Sequence, residues 1–197
     1  LFMIRLRFQE EMDARFGRFN VPEERPFTGD LPASRRRIVL AATGLAVEDF
    51  DVVNHTGDIL PGYVALVPRI CPEGDDGQYG SSVEHDVYAV QAIARRIHYG
   101  ALYVAESKFR GDPKSYMKLI SAGDGAALEA ALTRPDIEEK IYSRIEEKVD
   151  YAQRRINERV RRRIQPQAVV DYYRQTIIPL TKKGEVAYLL HRALDEI

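Results

Sequence analysis

The sequence predicts an all-α protein, a bundle of helices, on the basis of two observations. Apolar residues recur every three to four positions through the second half of the chain, which is the spacing of one helix face. Helix start and stop signals bound these stretches, and short connections separate them. We therefore predict long helices near residues 82–110, 135–160 and 166–197. A length of 197 residues fits one domain, residues 1–197.

The N-terminal part predicts one helix followed by a turn-rich segment. Residues 1–19 carry an apolar stripe at helical spacing, with Arg and Glu on the other side, formed by Leu1, Ile4, Phe8, Met12 and Phe16. Pro, Gly and Asp recur from residue 21 to residue 80. We expect only short elements there, with short helical or extended pieces at residues 34–45 and 64–67.

The helix near residues 82–110 has predicted signals at both ends. Ser81 and Glu84 have the S-x-x-E spacing of a capping box, in which each side chain bonds a free backbone N–H of the first turn. The sequence GDP at residues 111–113 stops the helix. An amphipathic helix is therefore expected between these signals.

Four more helical stretches are predicted after residue 113. Residues 114–122 and 125–132 form short helices, and the Gly-Asp pair between them closes the first and opens the second. Pro135 begins a long helix, because proline is tolerated in a first turn. Pro166 opens the last helical region, and Pro179 is expected to interrupt it.

The composition excludes several classes of function. With 29 basic and 30 acidic side chains, the chain has no overall charge to attract nucleic acid or an anionic membrane, and the arginine-rich run at residues 154–163 is interpreted as a basic helix end. No apolar run approaches the roughly 20 residues of a membrane span. Cys71 is the only cysteine and the 4 histidines lack ligand spacing, so we expect no metal and no cofactor.

Three separated motifs resemble the all-helical chorismate mutases of fungi and plants. Residues 94–109 read ARRIHYGALYVAESKF and are similar to the central helix of that family. The likeness continues in IEEK at 137–140, IPLTK at 178–182 and EVAYLL at 185–190. Because the motifs follow the family's order, the resemblance implies the eukaryotic-type chorismate mutase bundle and the conversion of chorismate to prephenate.

The resemblance also implies roles for single residues. Arg96 and Lys108 would bind a carboxylate and the ether oxygen of the substrate, Glu138 would place a hydroxyl group, and Thr181 and Glu185 would complete the wall. Thr181 and Glu185 are four positions apart and therefore share a helix face. Chorismate is a dianion, so a closed site needs at least two fixed cations to replace its hydration.

The rearrangement is unimolecular and needs no nucleophile, cofactor or metal. Catalysis therefore comes from holding the reactive conformer and stabilising charge on the breaking ether bond. Lys108 and a protonated Glu185 would both donate to that oxygen, which requires burial to raise the pKa of Glu185. We predict that activity is greatest at mildly acidic pH.

The spacing of the central motif departs from the family by one residue. The equivalent arginine and lysine are eleven positions apart in the family, whereas Arg96 and Lys108 are twelve apart. At about 100° per residue, eleven steps return to roughly the same face but twelve land about 120° away. The extra residue falls after Gly100, so we predict a π-bulge there that restores the common face.

Two arginines outside these motifs are further candidates. Family members carry a catalytic arginine in an I-R-x-x-L pattern on the N-terminal helix, and Arg5 fits that register, with Arg7 as the alternative. Arg134 stands where yeast-type enzymes have a polar amide, just before the IEEK motif. It either assists in binding the dianion or is simply solvated.

Regulation, assembly and location are predicted with alternatives left open. Yeast-type members bind tyrosine or tryptophan near the equivalent of residues 80–82 and carry a longer helical segment before it, where this chain has the turn-rich residues 21–80. We therefore predict weakened or absent feedback, and the resemblance suggests a homodimer. Because no signal-peptide pattern opens the chain, we expect a cytoplasmic protein, with secretion after cleavage as the alternative. The competing function is a catalytically impaired chorismate mutase-like protein, such as a secreted fungal effector, that binds a protein partner.

Overall fold

The computed structural model describes residues 1–71, 73–74, 77–155 and 164–193, and its regular secondary structure in these ranges is helical. Two π-helical turns, Gly100–Val104 and Tyr173–Ile177, join α3 to α4 and α8 to α9. The all-α prediction is confirmed. The α-helices are α1 Phe2–Phe16, α2 Thr56–Ile70, α3 Tyr79–Tyr99, α4 Ala105–Gly111, α5 Pro113–Ser121, α6 Gly125–Leu132, α7 Pro135–Arg155, α8 Pro166–Tyr172 and α9 Ile178–His191.

The predicted helix near residues 82–110 is present as α3, the first π turn and α4. Its start differs from the prediction, because α3 begins at Tyr79 and has no side-chain cap. Glu84 does not act in a capping box but accepts hydrogen bonds from Arg5 of α1 and from Tyr88. The contact with α1 therefore occupies the carboxylate that the spacing had assigned to the helix end.

The short helices that follow have the predicted ends. The carboxylate of Asp112 accepts the backbone N–H of Ser115 at the start of α5, and that of Asp124 accepts the N–H of Ala127 at the start of α6. Gly123 adopts a left-handed φ of 65° after α5, where a side chain would be strained. The two side-chain caps satisfy backbone donors that the first turns leave free.

Helices α7 and α8–α9 correspond to the two later predictions. α7 begins at Pro135 as expected and is described to Arg155, so Ile156, Val160 and the arginines after Arg155 lie outside the described residues. Pro179 does not interrupt the last helical region, contrary to the prediction. Pro179 lies in the first turn of α9, just after a π turn in which regular i to i−4 bonding is already replaced. The lack of an N–H on this proline therefore does not end the helix. Residues 194–197 also lie outside the described part.

The turn-rich segment contains a longer helix than the sequence predicted, and the short piece expected at residues 64–67 lies within it. α2 runs for 15 residues and includes Pro61 and Pro68, which had argued for short elements only. Ile59, Tyr63 and Leu66 repeat at helical spacing on its buried face. Burial of these side chains outweighs the local preference of the prolines. Residues 34–45 form no helix.

Helix α1 is present, but its apolar stripe faces away from the core. Ile4 and Phe8 are 60% and 64% exposed, whereas the buried face carries Leu6, Glu10 and Ala14. Glu10 is fully buried, and its carboxylate accepts the backbone N–H groups of residues 27 and 28 and the Thr28 hydroxyl. Tertiary hydrogen bonds therefore set the rotation of this helix.

The core lies around α3, the first π turn and α9. In the described part of the chain no helix combines the length and the apolar character that a membrane crossing requires. The buried side chains form three clusters, of which the third lies between α7, α8 and α9. The first contains Val53, Leu102, Leu128, Leu132, Tyr188 and Leu189, and the second Leu6, Ile59, Val90, Ile97 and Ile177.

Candidate active site

A cavity of about 280 Å³ lies between the α3–α4 segment, α7 and α9. It brings together six of the seven residues that the sequence proposed for the site. One further charged residue, Lys182, also lines it. The six predicted residues are Arg96, Lys108, Arg134, Glu138, Thr181 and Glu185.

The first π turn brings the two central cations to this cavity. The turn spans Gly100–Val104, so the predicted π-bulge near Gly100 is confirmed. It absorbs the extra residue, and both Arg96 and Lys108 line the same cavity. The turn packs tightly on α9, because a Cβ on Gly100 would lie 2.6 Å from Thr181 Cγ2.

A glycine on α9 makes the matching close approach. A Cβ on Gly184 would lie 2.5 Å from the Cβ of Ala101, a distance that real Cβ atoms essentially never show. Ala101 is fully buried and is the second residue of the π turn. The absence of a side chain at Gly184 therefore leaves the space into which the π turn projects.

Lys108 and Glu185 form the central charged pair. The Lys108 ammonium donates to both carboxylate oxygens of Glu185 at 3.1 and 2.9 Å and to the carbonyl oxygen of Leu132 at 3.1 Å. The Glu185 side chain is 4% exposed. Burial raises the pKa of Glu185, and the nearby charges of Lys108, Lys182 and Arg96 only partly oppose this. The carboxyl is thus tuned toward protonation while a cation stays in contact with it.

A second ion pair joins α9 to α7 across the cavity. The Lys182 ammonium lies 2.7 Å from a carboxylate oxygen of Glu138, and both side chains are about one-fifth exposed. Lys182 was not among the residues predicted for the site. The signal was available, since Ile178, Thr181, Lys182 and Glu185 have i, i+3, i+4, i+7 spacing and occupy one helix face.

The remaining predicted side chains are held less firmly or lie elsewhere. The Thr181 hydroxyl donates to the carbonyl oxygen of Ile177 at 2.7 Å, within its own helix. Arg134 lines the cavity mouth, 65% exposed, and pairs with Asp136 at 3.6 Å. Its position agrees with both roles that the sequence left open.

The structure does not bring Arg5 or Arg7 into this cavity. Arg5 pairs with Glu84 at 3.3 Å, and Arg7 pairs with Glu11 at 3.1 Å. Both side chains are nearly half exposed. The reason is the rotation of α1, which turns Leu6 into the core and leaves its two neighbours on the flanks. The catalytic role of Arg5 stays a prediction.

The arrangement can bind and polarise a small anionic molecule. Besides Arg134 at the mouth, the cations Arg96, Lys108 and Lys182 line a space with mainly apolar walls, where charge–charge interactions are stronger than in water. A carboxyl with a raised pKa adds a hydrogen-bond donor when it is protonated. Among the described residues, no group of three or more His, Cys, Asp and Glu side chains is placed to hold a metal ion.

Known proteins similar to this chain share one activity name. No protein-family model matches the chain. It is 36% identical to the chorismate mutase of Schizosaccharomyces pombe, over 96% of this chain and 75% of the relative. It is also 36% identical to the enzyme of Saccharomyces cerevisiae, over 91% and 71%.

The chloroplastic plant relatives are longer. Chorismate mutase 1 of Arabidopsis thaliana, a chloroplastic protein, is 36% identical over 93% of this chain, which spans only 58% of that relative. The chloroplast enzyme of Zea mays has a solved structure that superposes with a TM-score of 0.85 at 35% identity, over 96% of this chain and 75% of the other. The enzyme of Candida albicans, solved with L-Trp, gives 0.86 at 31% identity, over 96% and 73%. The chain therefore belongs to the chorismate mutase family of fungi and plants.

Proposed function

We propose that this chain catalyses the rearrangement of chorismate to prephenate in the cavity between α3–α4, α7 and α9. The observation that carries the proposal is the convergence of Arg96, Lys108 and the buried Glu185 on one space of about 280 Å³. A dianion requires cations to replace its hydration, and the cavity offers them within mainly apolar walls.

The chemistry needs no covalent help from the protein. One C–O bond breaks as one C–C bond forms within the same molecule, and negative charge grows on the ether oxygen. Arg96 pairs with a substrate carboxylate, while Lys108 and protonated Glu185 donate to that oxygen. The cavity walls select the compact conformer, which removes most of the entropic cost of reaction.

Lys108 is available for this role only if it exchanges partners. It donates to Glu185 and to the Leu132 carbonyl, and a substrate oxygen would replace the carboxylate as its acceptor. Protonation of Glu185 frees Lys108 and supplies a second donor in the same step. Glu138, paired with Lys182, is placed to accept a substrate hydroxyl at the opposite wall.

The test is chorismate consumption by the wild type, Arg96→Ala and Lys108→Ala. Removing one electrostatic contact to the transition state is expected to lower kcat about a hundredfold or more, which is about 3 kcal/mol. Arg69→Ala is the matched control, because the Arg69–Asp171 ion pair joins α2 to α8 outside the cavity. A folded wild type without turnover would contradict the proposal and favour the binding-protein alternative.

We also propose that aromatic amino acids regulate this chain weakly or not at all. Solved structures of Arabidopsis chorismate mutase 1 carry tyrosine or phenylalanine in an allosteric site. Between α1 and α2 this chain has only single turns of 3-10 helix, at Arg18–Asn20 and Phe50–Val53. Turnover measured with and without millimolar tyrosine, phenylalanine and tryptophan tests this, and a several-fold response would contradict it.

The exposed stripe on α1 supports a homodimer. Ile4, Phe8, Met12 and Phe16 lie on one side of the helix and are each more than half exposed. A second copy of the chain would remove this apolar surface from water. Phe8→Glu is expected to convert a dimer to a monomer in sedimentation velocity, whereas Val64→Glu on α2 leaves it intact. A monomeric wild type would contradict the proposal.

A further inference from the structure

A cluster of four side chains around a buried carboxylate lies at α4, outside the cavity. Its centre is Glu106, two residues before Lys108, with a side chain that is 6% exposed. Its carboxylate accepts hydrogen bonds from Arg192 at 2.8 and 3.2 Å, from Arg110 at 2.8 Å and from the Tyr188 hydroxyl at 2.7 Å. We call Glu106, Arg110, Tyr188 and Arg192 the Glu106 cluster.

The cluster is firmly seated. Tyr188 is fully buried, and its hydroxyl oxygen accepts the backbone N–H of Ala46 at 3.0 Å. The Arg192 guanidinium lies over the Phe109 ring, 3.8 Å from its centre, and is 10% exposed. Burial opposes ionisation of Glu106, but the hydrogen bonds from Arg192, Tyr188 and Arg110 outweigh it and lower its pKa. An ionised carboxylate with several charge-assisted bonds is a strong anchor.

The cluster and the catalytic pair connect the same two elements. Glu106 and Lys108 leave α4 on opposite sides, because two residues correspond to about 200° of helix rotation. On the other element, Glu185 and Tyr188 share one face of α9 at i and i+3, and Arg192 follows at the C-terminal end of that helix. Lys108 meets Glu185 on one side of α4, and Glu106 meets Tyr188 and Arg192 on the other.

Two attachments on opposite sides fix both the rotation and the axial position of a short helix. α4 continues α3 through the π turn, where regular i to i−4 bonding is replaced, so its seven residues depend on side-chain contacts as well as on the helix before them. Losing the Glu106 attachment would remove one of the two side-chain contacts that fix the rotation of α4 against α9. The distance from Lys108 Nζ to Glu185 and to the substrate oxygen would then no longer be fixed.

We propose that Glu106 and Arg192 are positioning residues for the rearrangement, which hold Lys108 against Glu185 by locking α4 to the end of α9. This inference rests on the proposed function, since it assigns a role in the same reaction. Substitution of Glu106 or Arg192 is expected to affect kcat more than KM, because Arg96, which binds the substrate carboxylate, is on α3 and keeps its position.

The experiment compares Arg192→Ala, Arg192→Lys and Glu106→Gln with the control Arg69→Ala. For Arg192→Ala we expect kcat to fall at least about tenfold, with KM changed less than about threefold, because small misplacements of catalytic groups cost rate. Arg192→Lys restores part of the activity by keeping one charged donor. Arg69→Ala keeps wild-type kcat, although it also removes an ion pair between helices.

The pH profile separates positioning from simple loss of stability. Lys108 stabilises the ionised form of Glu185, so moving it away raises the pKa of Glu185 further. The alkaline limb of kcat is therefore expected to shift upward by about half a pH unit or more in Arg192→Ala. A variant that is merely less stable loses rate at every pH and keeps the limb in place, and that result would overturn the proposal.

A titration of Glu185 tests the inference without turnover. The carboxyl carbon is followed by NMR in protein labelled at glutamate, with the signal assigned from Glu185→Gln. A higher pKa in Arg192→Ala and in the near-isosteric Glu106→Gln supports the positioning role even if the wild type does not consume chorismate. An unchanged titration in both variants overturns the inference and leaves the proposed function untouched.

Discussion

The two walls of the cavity are built differently. One wall, formed by the first π turn and α9, is backed by core, and Ala101, Leu102 and Leu189 in it are fully buried. The other wall is α7, in which Tyr142 is the single buried residue among those described. The core-backed wall and the adjoining α4 carry the Lys108–Glu185 pair, and α7 carries Glu138, which is about one-fifth exposed. Packing thus fixes the charges that act on the breaking bond, whereas α7 contributes a group that can adjust to the substrate.

The largest effect on stability and turnover is expected from adding volume to the core-backed wall. Gly184→Val places methyl groups where Ala101 already lies, with a Cβ distance of 2.5 Å. Overpacking of this kind is expected to cost about 2 to 3 kcal/mol of unfolding free energy, measured from urea denaturation, and to abolish most turnover.

The matched control for that substitution is Gly111→Ala. Position 111 ends α4, and a Cβ there meets nothing within 4 Å. Alanine favours the helix by up to about 1 kcal/mol over glycine, so stability should rise slightly. A Gly184→Val protein with wild-type stability and rate would show that the π turn does not need this space.

A change in the protonation of Glu185 is expected to have the next largest effect. Burial raises the pKa of this carboxyl, and its protonated form is the donor. The wild-type kcat should be constant at low pH and fall up to about tenfold per pH unit above that pKa. Glu185→Gln carries a permanent donor, so its kcat should be nearly independent of pH. A wild-type rate that climbs steadily from about pH 5 to 9 would contradict the assignment.

A buried histidine behind the same wall should make the stability of the fold sensitive to acid. His98 on α3 is fully buried, its Nε2 accepts the backbone N–H of His55, and burial lowers its pKa to about 3. Below about pH 6.5 His98 binds a proton in the unfolded chain but not in the folded protein. The contribution of neutral His98 to the free energy of unfolding is therefore complete above that pH. It is lost as pH falls, by up to about 1.4 kcal/mol per unit.

The measurement for His98 is a difference between two proteins. Urea unfolding of the wild type and of His98→Gln is compared from about pH 4 to 8. Subtracting the two curves removes the effects of other groups, and the gap in stability should narrow as the pH falls. A gap that stays constant over this range would show that His98 titrates alike in both states.

Substitutions on α7, the less buried wall, should change kcat least. The Lys182–Glu138 pair is partly exposed, and such pairs contribute about 1 kcal/mol or less. Glu138→Gln, a substitution on α7, is therefore expected to raise KM about fivefold and to change kcat less than about twofold. A loss as large as that of Lys108→Ala would mean that both walls contribute equally to the chemical step.

Local signals in the sequence predicted the second half of the fold, and the family resemblance predicted most of the site. Asp124 and Pro135 each mark a helix start that depends only on neighbouring residues. Comparing the Arg96–Lys108 spacing with the family's spacing predicted the π turn, because one extra residue changes the helical phase by about 100°. Thr181 and Glu185 were placed on one face by the same periodicity.

Features that depend on distant partners were not predictable in this way. Pro61 and Pro68 argued against a long helix at α2, which is stabilised by burying Ile59, Tyr63 and Leu66 against other elements. The orientation of α1 depends on hydrogen bonds to residues 27 and 28, which no spacing within α1 reveals. Arg5 was accordingly assigned from register alone, and the structure leaves it outside the cavity.

The buried carboxylate of Glu10 also bears on how the chain folds. Its oxygens accept hydrogen bonds from Phe27 and Thr28, so docking α1 without the closed loop would bury an unpaired carboxylate. Docking and closure then form one cooperative unit, and the amide protons of Phe27 and Thr28 should exchange with solvent in step with those of α1.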